Sequence, residues 1–378
     1  MSHKISEYLR EHLIGEVASN PRTLDYFSKD GSILTITPKV IVYPDNVQDI
    51  RKTLRFCWRL AEKGTILPVT ARGSGTDQAG GALGDGIILV LPAHMNGILS
   101  LDSKAKTVTV QPGINYGSLQ NTLKTHGLFL PPHPSSIDYS SIGGAISNNA
   151  SGLRSVKYGD TRHLTRALDV VLANGDTIST GKLSKRDLSK KKSLNNFEGE
   201  IYRQLDALIT ENSELIYREE VMTSKDTSGY ALSQVRTKDG SFDLTPLIVG
   251  SQGTLGVVTS AELDVTPHMP NPSMLMIGLS KLEDLADLNL GILDLTPSAV
   301  ELVDKNLLIQ VNALQPNQLR GIIKEPYPNF ILLVEFDDAK ERDQAKKIKK
   351  VKRMVEEIGG DIIADTKDRS EEHTSERV

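Results

Sequence analysis

The strongest candidate for chemistry is a glycine-rich stretch, residues 68–86 (PVTARGSGTDQAGGALGDG), with six glycines in nineteen residues. Glycine lets the backbone turn tightly and present N–H groups, and such concave nests bind phosphate oxygens. A dinucleotide fingerprint starting at Gly73 would need glycine in place of Gln78, and the Gly181-Lys182 pair lacks the hydroxyl residue that completes a P-loop. The stretch therefore predicts a phosphate-bearing ligand outside these two classes, although surface turns without a ligand have the same composition.

A second stretch, residues 131–160 (PPHPSSIDYSSIGGAISNNASGLRSVKYGD), combines three prolines with four glycines and two adjacent asparagines. The prolines stiffen the approach, and Gly143-Gly144 would bring bare backbone close to a ligand. Long loops of this composition are usually functional. The third stretch, residues 249–259 (VGSQGTLGVVT), is a glycine turn leading into a β-branched strand, and a purely structural hairpin would also explain it.

Helices and strands must position these three stretches. Hydrophobic periodicity predicts helices over residues 5–13, 116–126 and 200–210, and strands over 66–69, 87–91, 98–101, 107–110, 247–249 and 256–265. A further helix should begin with Asp45 as its N-cap and end at Gly64, with Cys57 on its buried face as a core residue and not a reactive thiol. Asn174-Gly175 predicts a type I′ hairpin turn between strands 166–173 and 177–179.

The composition changes beyond Pro270, where glycine becomes rarer and predicted strands alternate with predicted helices. Strands are expected over residues 274–279, 299–303 and 331–336, and helices over 282–293 and 338–358. A proline-rich boundary lies near residues 267–272. We therefore expect an N-terminal helical segment (1–37), a main domain (38–267), a second domain (268–368) and a tail (369–378).

Composition excludes several classes of protein. The 378 residues carry 44 Lys and Arg against 48 Asp and Glu, and this formal charge of −4 argues against nucleic acid as a partner. A single cysteine excludes a disulfide framework, a cysteine-ligated iron–sulfur cluster and a Cys-rich zinc site. No apolar run is long enough to be a transmembrane segment, and no signal peptide is evident, so we expect the cytoplasm, with peripheral association at the inner face of the membrane as an alternative.

Two basic runs, residues 182–192 and 340–353, have two interpretations. They are expected to be a solvated loop and a solvated helix face. The alternative is docking to an electron-transfer partner or an anionic surface.

In this order and spacing, the three stretches resemble the PCMH-type FAD-binding domain of the vanillyl-alcohol-oxidase superfamily, from about residue 38 to 267 and more weakly to 364. Residues 141–159 (SIGGAISNNASGLRSVKYG) look most like the FAD-linked 2-hydroxy-acid dehydrogenases, such as D-lactate dehydrogenase and the glycolate oxidase flavin subunit. The resemblance implies an α+β fold: a PCMH-type FAD-binding domain of two α/β subdomains, followed by a partial ferredoxin-like cap domain. It also implies an FAD cofactor and a small 2-hydroxy acid as substrate, with the electron acceptor left unknown.

The resemblance also assigns residues to the cofactor. Those around the FAD pyrophosphate would be Arg72, Gly73, Ser74, Gly75, Thr76, Gly80 and Gly81, with a surface charge as the alternative for Arg72. Those along the isoalloxazine would be Ile142, Gly143 and Gly144, and those lining the same groove would be Asn148, Asn149, Gly152 and Gly159. Val257 and Val258 would meet the adenine end. Relatives that tether the flavin carry histidine at the position of Thr76, so the resemblance implies non-covalent FAD.

The C-terminal part departs from the family pattern. Full-length relatives continue into a Gly-His-x-Gly-Asp-Gly-Asn-x-His segment that has no match here, and residues 369–376 (RSEEHTSE) resemble a translated sequencing adapter. We therefore expect a truncated reading frame with an artefactual tail, and we assign no catalytic residue.

The resemblance implies oxidation of a D-2-hydroxy acid to the 2-oxo acid, with the C2 hydride passing to the flavin while a base removes the hydroxyl proton. We expect this chain alone to be inactive. One alternative is a non-catalytic FAD-binding or electron-transfer fragment. Another is an NADPH-dependent reductase of cell-wall precursor synthesis, which does not match residues 148–159.

Overall fold

The computed structural model describes residues 2–132, 134–219, 223 and 225–366. Contacts divide the chain into two compact units. Unit 1 comprises residues 1–151 and 159–267, and unit 2 comprises residues 152–158 together with the chain from 268 onward. The expected tail, residues 369–378, lies outside the described residues.

The first sheet of unit 1 is built from short apolar strands in the order β1-β2-β4-β3. Its elements are α1 (Ser2–His12), β1 (Glu16–Ala18), α2 (Pro21–Tyr26), β2 (Val40–Tyr43), α3 (Val47–Glu62), β3 (Val69–Arg72) and β4 (Ile87–Val90). β4 runs parallel to β2 and β3, and both of its faces are buried. One face packs on α1 and α3, and the other packs on Phe27, as is typical of covered parallel strands.

The second sheet of unit 1 is antiparallel, in the order β5-β6-β10-β8-β9. Its strands are β5 (Ile98–Asp102), β6 (Thr107–Val110), β8 (Thr165–Val171), β9 (Thr177–Ser179) and β10 (Val257–Asp264), while β7 (Leu128–Phe129) pairs with β11 (Thr266–Pro267). The accompanying helices are α4 (Tyr116–Thr125), α5 (Ile142–Ser147), α7 (Thr161–Leu164), α8 (Lys185–Lys192), α9 (Phe197–Glu211), α10 (Ser213–Arg218) and α11 (Thr245–Ile248).

Unit 2 has the strand order β13-β14-β12-β15, with every pair antiparallel. Its elements are α6 (Ser155–Tyr158), β12 (Ser273–Leu279), α12 (Glu283–Leu293), β13 (Ala299–Asp304), α13 (Lys305–Leu314), β14 (Phe330–Phe336), α14 (Glu341–Glu357) and β15 (Asp361–Asp365). Leu332, Val334 and Phe336 of β14 share a core with α12 and α14. The strand order and the helices α12 and α14 match the βαββαβ arrangement of a ferredoxin-like sheet, and α13 is an additional helix between β13 and β14. The sequence predicts three of its strands and misses β15.

Most predicted helices and strands are confirmed to within a few residues, but two of them start elsewhere. The N-cap of α3 is Asn46 and not Asp45, because the Asn46 side chain accepts hydrogen bonds from the backbone N–H groups of Gln48 and Asp49. The strand expected over residues 66–69 corresponds to β3, but β3 begins only at Val69, the last residue of the expected range. Pro68 has no N–H to contribute to a ladder, and its carbonyl accepts from Ile87 instead.

The strand expected over residues 247–249 is wrong. These residues belong to α11 and its C-cap, and Pro246 stands in the first turn of this helix, where proline is favoured. Three apolar residues in a row fit either structure, so periodicity alone could not separate a short strand from a short helix.

The predicted turn type of the β8–β9 hairpin is also wrong. A type I′ turn needs positive φ at both central residues, but Gly175 has φ of 82° while Asn174 is not among the positive-φ residues. The N–H of Gly175 instead donates to the carbonyl of Leu172, and the N–H of Leu172 donates to the carbonyl of Asp176. The hairpin itself is confirmed, with a loop longer than two residues.

Of two further expectations, the one for Cys57 is confirmed and the one for the first basic run is not. Cys57 is buried and unpaired in the core under α3, and burial raises the pKa of its thiol to about 12. The solvated loop expected over residues 182–192 is wrong, because most of this run forms α8. Its lysines pair with nearby acids: Lys182 with Asp239 and Lys190 with Asp187 in exposed pairs, and Lys191 with Glu198 and Lys192 with Asp206 in partly buried pairs. In the described part of the chain, no helix is both long and apolar enough to cross a bilayer.

Candidate cofactor-binding cleft

A cleft in unit 1 brings the first two glycine-rich stretches together and adds Gln252 from the third. The cleft is open to solvent, and the empty space within it and at its opening amounts to about 740 Å³. The predicted site residues that line it are Gly73, Ser74, Gly75, Thr76, Gly81, Gly143, Gly144 and Asn148.

The loop after β3 supplies unused backbone donors. Within the described residues, the N–H groups of Ser74, Gly75 and Thr76 donate no hydrogen bond to the protein. Gly75 has φ of 74°, and a Cβ there would lie 2.3 Å from Nη2 of Arg72, so the loop requires glycine at this position. Consecutive unpaired N–H groups in a cleft wall are the feature that phosphate groups use.

Arg72 lies behind this loop and not on the cleft wall. Its guanidinium donates to the carbonyls of Lys29 at 2.7 Å, Ala82 at 3.3 Å and Phe27 at 3.4 Å, and it stacks 5.2 Å from the Phe27 ring centre. Burial lowers the pKa of Arg72, and the nearby Asp30 carboxylate opposes that shift. The alternative of a surface charge is wrong, because only 5% of the residue is exposed.

The opposite wall is the start of α5. Ser141 is its N-cap, and the Ser141 hydroxyl accepts from the N–H of Gly144. A Cβ on Gly144 would meet only this hydroxyl, at 3.3 Å, so Gly144 faces open space. A Cβ on Gly143 would lie 2.7 Å from Pro112, so Gly143 packs closely on the protein. Ser140 lines the cleft with a buried hydroxyl that has no partner among the described residues. An orphaned hydroxyl and an open glycine both fit a bound planar group.

Asp77 and Gln252 also line the cleft, although the family resemblance does not assign them to the cofactor. One Asp77 carboxylate oxygen accepts from the N–H of Gly81 at 2.7 Å and of Ala79 at 3.0 Å, and the other accepts from the Asn148 side chain at 3.1 Å. The backbone N–H of Gln252 donates to the carbonyl of Ser147. Both residues lie inside glycine-rich stretches, and that position is the signal in the sequence that points to them.

Eight assigned residues do not line the cleft: Arg72, Gly80, Ile142, Asn149, Gly152, Gly159, Val257 and Val258. Ile142 is part of the unit 1 core, and Val257 and Val258 are buried in β10 opposite β8. Gly152 belongs to unit 2 by its contacts. A Cβ on Gly80 would meet the side chain of Leu34, and a Cβ on Gly159 would meet His163.

Asn149 braces the cleft wall from behind. It is fully buried with φ of 46°, its amide donates to Asp160 at 2.6 Å, and its carbonyl oxygen accepts from the N–H of Arg162. The other Asp160 oxygen faces Nδ1 of His163 at 2.7 Å. The hydrogen bond with Asp160 raises the pKa of His163. Burial would raise the pKa of Asp160, but the hydrogen bonds with His163 and Asn149 outweigh it and lower that pKa.

This pair makes the stability of unit 1 depend on pH. The raised pKa of His163 gives a contribution that is complete below its unfolded value of about 6.5 and is lost as pH rises through the folded pKa. The lowered pKa of Asp160 gives a contribution present above about 3.9 and lost on acidification. We expect His163→Gln to reduce the urea unfolding free energy more at pH 5.5 than at pH 9, by at most about 1 kcal/mol since the ring is exposed.

The control for that comparison is His126→Gln, because His126 bonds Thr122 and Thr125 and no carboxylate. An equal loss for His163→Gln at both pH values would contradict the linkage.

Residues 38–181 match the family described as FAD binding domain. This part of the chain is therefore similar to an FAD-binding domain, and the match supports FAD as its cofactor. A solved structure of alkyldihydroxyacetonephosphate synthase matches with a TM-score of 0.68 over 96% of this chain and 61% of that chain, at 15% identity. At this identity the match shows a shared fold, and it confirms the α+β fold class.

Three curated relatives extend the comparison. The glycolate oxidase subunit GlcD of Bacillus subtilis is 31% identical over 315 residues, which cover 82% of this chain and 54% of the relative. The D-2-hydroxyglutarate dehydrogenase of Pseudomonas putida is 29% identical over 296 residues, covering 78% of this chain and 29% of the relative. The D-lactate dehydrogenase of Anaerostipes hadrus is 27% identical over 340 residues, covering 87% and 58%. The chain thus spans little more than half of these relatives at most.

Proposed function

We propose that FAD lies non-covalently in the cleft between the glycine loop and α5, and that the chain is the FAD-carrying part of an enzyme that oxidises a D-2-hydroxy acid. The observation that carries the proposal is the pairing of three unused N–H groups, those of Ser74, Gly75 and Thr76, with the open face of Gly144 across one cleft. All four residues fall inside the segment that matches the FAD-binding family.

Each wall has a distinct task in this proposal. The backbone N–H groups of Ser74, Gly75 and Thr76 would hold the diphosphate, because fixed dipoles stabilise charge without having to reorganise. Gly144 leaves room for the flavin ring, and the unpartnered Ser140 hydroxyl offers a hydrogen bond in the same cleft. FAD, when bound, supplies the acceptor for the two electrons of the oxidation.

The substrate class rests on the relatives. Their names specify D-2-hydroxyglutarate, glycolate and D-lactate as substrates. These molecules share a hydroxyl group on the carbon next to a carboxylate, and that shared unit is the class we propose for this chain.

The proposed reaction can be tested by anaerobic flavin bleaching. Because the chain spans only part of its relatives, the 378-residue protein and the longest reading frame containing it are both loaded with FAD and mixed with D-lactate, glycolate or D-2-hydroxyglutarate. Loss of the visible flavin absorption with one of these acids, but not with its L enantiomer where one exists, supports the proposal. If NADPH bleaches the flavin and none of the acids does, the proposal is overturned in favour of a reductase. If none of these compounds bleaches the flavin of either protein, it is overturned in favour of a non-catalytic flavoprotein.

The mode of attachment predicts a simple result. The one cysteine, Cys57, is buried in the α3 core away from the cleft lining, and Thr76 cannot form the histidyl link of tethered relatives. We therefore expect acid precipitation to release all of the yellow colour into the supernatant. Flavin that stays with the washed pellet would show a covalent bond and contradict the expectation.

A further inference from the structure

The glycine loop carries a carboxylate side chain, Asp77, that accepts hydrogen bonds from N–H groups of the same loop. Asp77 follows the three unused donors directly, and its carboxylate accepts from Gly81 N–H at 2.7 Å and Ala79 N–H at 3.0 Å. These two N–H groups belong to the kind of nest that binds phosphate oxygens. The second half of the loop is therefore already occupied by a carboxylate, while the first half keeps its donors unused.

The same carboxylate joins two walls of the cleft. Its second oxygen accepts from the side-chain amide of Asn148, the residue that caps the end of α5, at 3.1 Å. Asp77 and Asn148 are 71 residues apart in sequence, so this bond closes a long-range contact across the cleft edge. Both residues belong to unit 1.

The charge of Asp77 is not balanced inside the cleft. Among the described residues that line it, Asp77 is the one side chain that carries a charge at neutral pH, and the rest are glycine, alanine, proline, serine, threonine, asparagine and glutamine. A diphosphate entering this cleft would meet a negative carboxylate and, among the described lining residues, no cation, since the Arg72 guanidinium lies behind the loop and donates to backbone carbonyls there. Repulsion between like charges a few ångströms apart is substantial near a protein surface and falls with added salt.

Building on the proposed FAD site, we infer that Asp77 is a positioning and specificity-determining residue. It holds the glycine loop in its binding conformation before the cofactor arrives, and its charge prevents the cleft from retaining free anions such as pyrophosphate. The cleft then retains a diphosphate only when the groups on both of its sides also bind. The consequence for FAD is a weaker affinity than the loop geometry alone would give.

Two substitutions separate these roles, because they should change affinity in opposite directions. In Asp77→Asn the side-chain oxygen still accepts from the two N–H groups, and the Asn148 amide can rotate to present its oxygen to the new NH₂ group. The charge is lost, so we expect FAD to bind roughly three- to tenfold more tightly and inorganic pyrophosphate to become a measurable ligand. In Asp77→Ala the two N–H groups lose their acceptor, and we expect FAD to bind roughly tenfold more weakly.

The measurement is calorimetric titration of the apoprotein with FAD and, separately, with inorganic pyrophosphate, at low and high NaCl. Asp85→Asn is the matched control, since Asp85 lies in the same glycine stretch, forms a largely exposed ion pair with Lys39 and does not line the cleft. The inference is supported if the wild type binds FAD more tightly at high salt than at low salt. This increase in affinity with salt should be smaller in Asp77→Asn and unchanged in Asp85→Asn. A wild-type affinity that does not rise with salt overturns it without any variant.

Weaker FAD binding in both Asp77 variants, or equal behaviour of Asp77→Asn and Asp85→Asn, also overturns the inference. The pyrophosphate titration distinguishes a failure of this inference from a failure of the proposed function. A wild type that binds no FAD refutes the proposed site, whereas gain of pyrophosphate binding in Asp77→Asn still decides whether the carboxylate excludes anions.

Discussion

A Gly144→Val variant is expected to fold and to lose FAD. The position of a Cβ on Gly144 is open toward the cleft, with only the Ser141 hydroxyl at 3.3 Å, and φ there is not positive. The valine Cβ would therefore meet no backbone outside α5, and the helix propensity of valine is only slightly unfavourable. The two methyl groups would instead occupy the space proposed for the flavin ring. We expect at least about a hundredfold loss of affinity, since a filled binding site cannot relax cheaply.

The measurement is the flavin content after purification, together with the melting temperature of the apoprotein. Gly143→Val is the matched comparison, because its side chain would meet Pro112 at 2.7 Å and should damage folding as well as binding. Wild-type flavin content in Gly144→Val would show that the ring lies elsewhere.

The second large effect is expected for Arg72→Met. The guanidinium of Arg72 holds three backbone carbonyls, those of Phe27, Lys29 and Ala82, behind the glycine loop. Methionine fills similar volume but leaves these acceptors, two of them in buried hydrogen bonds, without their charged donor. Hydrogen bonds to charged groups contribute about 1.5–3 kcal/mol each and are not additive, so we expect a loss of about 3 kcal/mol in unfolding free energy. FAD retention should fall as well, because the segment that supports the loop is released.

Urea unfolding of the apoprotein checks this expectation. Arg59→Met is the control, since Arg59 is an exposed residue on α3 with the same change of charge. A loss in Arg72→Met no greater than in Arg59→Met would mean that Arg72 does not support the loop.

Local patterns predicted most of the fold but not the contacts behind the site. The alternating Thr107–Val110 strand and the amphipathic α14 followed directly from periodicity, because each buries one face within its own segment. The partners of Arg72 lie up to 45 residues away, and Asp77 reaches Asn148 across 71 residues. No pattern within one segment encodes such pairs. Arg72 therefore looked like a cofactor ligand or a surface charge, and its burial behind the loop emerged only from the fold.

Two neighbouring glycines also show that the sequence does not reveal which residues contact each other in the fold. Gly143 and Gly144 are neighbours of identical type, and the sequence assigned both to the flavin ring. Both line the cleft, but a Cβ on Gly143 would meet Pro112 whereas a Cβ on Gly144 would point into open space. The distinction depends on what lies opposite each residue, which sequence spacing does not reveal.

The buried thiol of Cys57 makes this protein convenient for site-specific labelling. The chain contains one cysteine, and a pKa raised to about 12 leaves almost none of it as the reactive thiolate at neutral pH. A cysteine introduced at Ser136, which lines the cleft and is partly exposed, would therefore react with a maleimide dye in the otherwise native protein. Such a dye would report the filling of the cleft by its own emission, without relying on the absorption of the flavin.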